Sequence, residues 1–122
     1  MPLYSDNRNR SNVNAILNAR EQADFRRNEN LVTLHNQLFS AYSQRLQFID
    51  TYRRLKKEVI PSLAKALSLT KDAYDRGRLK YQDWIAAQQE LLGAKQQLID
   101  AASATLINQA LIEQLTAEPL TD

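Results

Sequence analysis

The residues able to do chemistry are few and scattered. His35 is the single histidine of the 122-residue chain, Met1 the single methionine, and there is no cysteine. A metal centre needs several nitrogen, sulfur or carboxylate ligands converging on one point. Carboxylates such as Asp24 and Asp50 stand apart from His35 and from each other, so no metal site and no cofactor is expected. The sequence shows no strained nucleophile turn, no phosphate-cradling glycine loop and no paired-carboxylate motif, which argues against an enzyme. Arg53, Arg54, Lys56 and Lys57 form the one dense basic run, in a chain whose net charge is only +2. Nucleic-acid binding calls for a concentrated basic face. Here acids such as Glu21, Asp24, Glu29 and Asp50 interleave with the bases, as on a solvated helix face.

The elements that carry these side chains read as helices. Two glycines and three prolines leave little turn chemistry, and Ala, Leu, Gln and Arg favour an all-α chain. No apolar run approaches the length of about 18 residues that a membrane-spanning helix needs. Met1-Pro2-Leu3-Tyr4 lacks the basic start and apolar core of a secretion signal. Residues 1–10 are polar, with a proline and several asparagines, and read as an extended entry segment. Ser11 or Asn12 can cap a helix that follows. From Leu31 through Leu34, Leu38 and Ala41, and on to Tyr74, apolar residues recur at the three-four spacing of a coiled-coil seam. Residues 11–76 contain no glycine, and Pro61 is expected to kink or restart the helix there. One unbroken helix of that length would reach roughly 100 Å and would need a partner along it. Folding back on itself supplies one.

The most informative stretch lies between Ala73 and Ala94. Gly77 stands at the break between two helical patterns, where it can adopt the left-handed conformation that closes a helix. Tyr74 precedes it by three residues, and a last helix begins at about Tyr81. In that helix apolar pairs fall at Trp84-Ile85, Leu91-Leu92, Leu98-Ile99 and Leu106-Ile107. The first three pairs lie seven apart and the last step is eight, a local drift in period. Ala87, Ala94 and Ala101 widen the stripe, so this helix wants a neighbour on each of two flanks. Gly93 marks a close approach or is simply tolerated. Tyr74 and Gly77 are read together as a structural joint.

Tyr74-x-x-Gly77, then Asp83, Trp84-Ile85, Ala87-Gln88, Leu91-Leu92 and Ala94, resembles the TolC-type outer-membrane efflux proteins. Lys80 departs from the serine or threonine that most of that family carries as the helix cap. Pro2-Leu3-Tyr4 with the polar run after it, and Val59-Ile60-Pro61, are similar to the heavy-metal (CzcC- and CusC-like) branch. The resemblance covers nearly the whole chain. It implies a long antiparallel coiled-coil hairpin followed by a further long helix, a segment of an α-barrel. The hairpin turn then falls near Ala41 to Gln47, giving helices at about 11–42, 46–76 and 81–116 and a tail at 117–122. Ser43, Gln44 and Arg45 become partner contacts at the tip, and Asp50, Arg53 and Arg54 candidates to face a pore.

The resemblance further implies a passive conduit in a Gram-negative bacterium: a homotrimer whose periplasmic part docks onto an adaptor and an inner-membrane pump and passes substrates, in this branch heavy-metal cations, out of the cell. It also implies a piece of a longer secreted precursor, with Met1 an added start. The alternative is a generic coiled-coil scaffold or adaptor protein, which shares the periodicity but not the spacing around Gly77.

Overall fold

The computed structural model describes the backbone of residues 2–117 and the surroundings of residues 7–117. The described residues are helical apart from a short connection and Ala117, and include no strand. Helix α1 spans Pro2–Arg54, a π-helical turn spans Leu55–Val59, α2 spans Ile60–Asp75 and α3 spans Tyr81–Thr116. The chain divides into two units, Met1–Phe39 and Ser40–Asp122, and the division falls within α1.

Two expectations are corrected at once. Of the expected extended lead-in at 1–10, residues 2–10 are not extended but helix, since α1 begins at Pro2, and Ser11 and Asn12 lie inside it. Proline is well suited to a first helical turn, where its missing N–H costs nothing and its fixed φ is already helical. Nor does the chain turn at Ala41 to Gln47, which is helix throughout. That segment holds Ala, Gln, Arg and Leu, all strong helix formers, and no residue that readily takes a positive φ. Reversal occurs instead at Arg76–Lys80, so the expected hairpin plus further helix is one hairpin with α3 as its second arm. The 117–122 tail lies outside the described residues from Glu118 onward.

The first unit is a single helical stretch with no buried residue among those described. Val13, Ile16, Phe25, Val32 and Phe39 are all more than half exposed.

In the second unit, the end of α1, the π turn and α2 form one arm; α3 packs against α2 and the π turn and is hydrogen-bonded to the end of α1 through Asn108. Two lines of covered positions on α3 keep a seven-residue period. One line is Trp84, Leu91, Leu98, Thr105 and Ile112; the other is Ala87, Ala94, Ala101, Asn108 and Leu115. Each of these residues is buried or half-buried, and Ile112 is wholly enclosed. Enclosing one such side chain stabilises the fold by about 2 kcal/mol. The drift expected before Leu106 is therefore absent from the seam. Leu106 and Ile107, 65% and 71% exposed, lie off it.

The facing arm has its own sequence of covered residues. Ala41, Arg45, Phe48, Tyr52 and Leu55 follow steps of four, three, four and three. Ile60, Leu63, Leu67, Thr70 and Tyr74 resume at three, four, three and four. Between Leu55 and Ile60 the step is five. That is where the helix takes a π turn, with the Ile60 N–H donating to the Leu55 carbonyl five residues back. Pro61 follows directly, at the start of α2. The effect of the proline region is thus a change of helical phase and a restart.

Candidate functional site: the hairpin turn and the seam behind it

At the turn, Gly77 has φ +75°. The Gly77 N–H donates to the Tyr74 carbonyl at 2.9 Å and the Arg78 N–H to the Ala73 carbonyl at 2.8 Å. This crossed pair is the Schellman closure, and it depends on a left-handed residue just past the helix end. A Cβ on Gly77 would meet nothing within 4 Å, so the demand for glycine comes from the backbone alone.

Lys80 holds the cap position of α3 with an extended backbone, φ −78° and ψ 154°. A lysine side chain has no acceptor to offer the first helical N–H groups. Asp83 does the work from inside the helix: its carboxylate accepts from the Lys80 N–H at 3.1 Å. The Asp83 N–H in turn donates to the Lys80 carbonyl at 3.0 Å. The acid also sits in the first turn, where the helix dipole favours negative charge.

Three rings close the same end. Tyr74 stacks on Trp84 with centroids 5.3 Å apart and planes 20° from parallel. Tyr81 meets Tyr74 edge-on at 5.9 Å and Trp84 at 5.8 Å. Each such contact contributes about 0.5–1.5 kcal/mol beyond its area. Beyond the rings, the residues presented at the turn are Arg78, Leu79 and Lys80, all exposed.

Far from the turn, the seam contains a polar residue that sequence reasoning did not single out. Asn108 is 3% exposed, and its Nδ2 donates to the carbonyl oxygen of Ala41 at 2.9 Å, across 67 residues of chain. Its Oδ1 is enclosed without a partner, and so is one terminal nitrogen of Arg45. The signal was available: Asn108 lies seven residues beyond Ala101 on the Ala87–Ala94–Ala101 line.

The remaining expected site residues are scattered. Ser43 and Gln44 are exposed on the flank of α1, and Arg45 is half-buried, so the three do not form a tip. Asp50 and Arg54 form an exposed ion pair at 3.1 Å, and Arg53 is exposed beside them. His35 is exposed in the first unit. No group of three metal-ligating side chains occurs among the described residues. No helix among them is long and apolar enough to cross a membrane.

On its outer side the hairpin remains apolar. Leu92, Ile99 and Leu106 stand seven apart on α3 and are 69%, 58% and 65% exposed. A shallow groove of about 250 Å³, lined by Ile49, Tyr52, Ala102, Thr105 and Leu106, adjoins that line.

The described residues form an all-helical segment with a glycine-closed turn and an uncovered apolar flank. The chain belongs to the outer membrane efflux protein family, whose family model matches residues 1–118. It is a periplasmic portion of an outer-membrane protein and not an enzyme. The generic scaffold alternative does not account for that match. Comparisons with curated proteins and with solved structures return no match.

Proposed function

We propose that this chain forms part of the wall of an efflux tunnel in the periplasm, in a trimer that works with an adaptor and an inner-membrane pump. The observation that carries the reading is the family match together with α3, which covers one flank within its own hairpin and leaves Leu92, Ile99 and Leu106 outward. A wall helix needs a second neighbour of this kind; a free-standing hairpin does not. The reversal at Arg76–Lys80 supports an adaptor-facing end at Arg78, Leu79 and Lys80 rather than at Ser43–Arg45. Asp50, Arg53 and Arg54 are candidates to face the lumen. The cargo class is heavy-metal cations. Its support is the residue pattern at Pro2-Leu3-Tyr4 and at Val59-Ile60-Pro61, and with no ligand cluster among the described residues the cations would pass without being held.

The test is site-directed crosslinking in cells. A photo-crosslinking residue at Arg78 or Leu79 in the full-length protein is expected to capture the adaptor, and one at Ser43 is not. Capture from Ser43 alone would refute the placement of the docking end. Cells lacking the protein are expected to become sensitive to metal salts. Unchanged metal tolerance with increased sensitivity to organic toxicants would replace the cargo and keep the tunnel.

A further inference from the structure

The hairpin is fixed at two places, and between them one arm has a residue too many. Near the turn it is fixed by the Gly77 closure and the Tyr74–Trp84 stack. At the far end it is fixed by the Asn108–Ala41 bond. Between these points α3 runs in seven-residue period without interruption. The opposite arm holds the same period from Ala41 to Leu55 and again from Ile60 to Tyr74, but the joining step is five where an unbroken heptad pattern takes four. A single residue is surplus. A π turn is the helical form that houses one more residue per turn, and it lies at that step, Leu55–Val59.

We infer that the Leu55–Val59 π turn is a phase joint: it takes one surplus residue out of the seam, and the two fixed ends of the hairpin keep it from relaxing. The joint decides which of two neighbouring stripes of α1 faces α3. With the joint, Ala41, Arg45 and Phe48 are inside, while Tyr42 and Leu46 are 46% and 73% exposed. Continuing α2 backwards as plain α-helix would turn α1 by about 100° and bring Tyr42 and Leu46 inward instead. Pro61 suits the joint, because its ring opposes the carbonyl four residues back and it has no N–H to give. Proline alone, however, does not move the apolar pattern by a whole residue. A length excess does.

The experiment separates the two causes. The chain has no cysteine, so spin labels at Gln47→Cys and Ser103→Cys, both exposed positions, report the distance across the far part of the hairpin. The variants are made in the 122-residue chain. Pro61→Ala is expected to leave the label distance unchanged, since the surplus residue remains. Deleting Lys57 in the Pro61→Ala background is expected to keep that distance and to melt at or above Pro61→Ala itself. Deleting Lys95 from α3, which has no surplus, is expected to lower the melting temperature steeply or abolish folding. A Lys57 deletion as damaging as the Lys95 deletion would overturn the inference, as would a changed label distance in Pro61→Ala.

Discussion

Tyr74 lies stacked on Trp84, one residue closing α2 and the other in the first turn of α3, with ring centroids 5.3 Å apart. The two rings bridge the only reversal of direction among the described residues, so their contact should hold the turn together. Trp84→Ala is expected to destabilise the chain by about 3 kcal/mol and Tyr74→Ala by somewhat less. A double-mutant cycle should give a coupling of about 1 kcal/mol. Additive losses in urea unfolding would show that the rings act independently.

Gly77 should tolerate little. Since an added Cβ touches nothing, Gly77→Ala tests the backbone conformation alone. A loss of about 1–2 kcal/mol is expected, the cost of a left-handed L-residue. Gly77→Asn should lose less, because asparagine visits that region more readily. Thermal melts of the three proteins give the order directly.

At the far end, Asn108→Asp keeps the shape but removes the donor to the Ala41 carbonyl and places an acceptor, charged near neutral pH, against it. It is expected to cost more than Asn108→Ala, which also relieves the enclosed Oδ1. An unpartnered buried polar atom carries a penalty of about 1–3 kcal/mol, and relieving it offsets part of what the alanine variant loses with the bond. Denaturant midpoints for the pair check the ranking.

The ion pair of Asp50 with Arg54 should contribute little. Its partners are 53% and 67% exposed, where such pairs are worth about 0–1 kcal/mol and are screened by salt. Asp50→Asn is expected to change stability by less than about 0.5 kcal/mol. A larger effect on transport in the full-length protein, with stability unchanged, would support a lumenal position for this residue.

Leu92, Ile99 and Leu106 should make the isolated chain associate. Replacing all three with glutamine is expected to shift sedimentation toward monomer while leaving the helical signal intact.

Much of this architecture was legible in the residues. Gly77 announced the joint, because a helix that must close on a positive φ has few other choices. The position of the reversal was misplaced where it rested on resemblance: nothing in Ala41-Tyr42-Ser43-Gln44 can turn a chain, and Gly77 can. The large apolar pairs on α3 were legible as two flanks, but which flank faces the hairpin was not. The buried line runs through Ala94, Ala101 and Asn108, and an asparagine does not register as core in a hydrophobic pattern. Pro61 drew attention to the right place for an incomplete reason. The fuller signal was the five-residue step from Leu55 to Ile60, visible only once both arms are read in the same period.

The alanine line of α3 also bears on the order of events. Along that line the arms can approach on methyl groups, beside a second line that closes on Trp84, Leu91, Leu98 and Ile112. The isobutyl and sec-butyl groups of Leu92, Ile99 and Leu106 are left for a later encounter. A molecule so built takes its own shape from one flank and keeps the other in reserve for whatever comes to lie beside it.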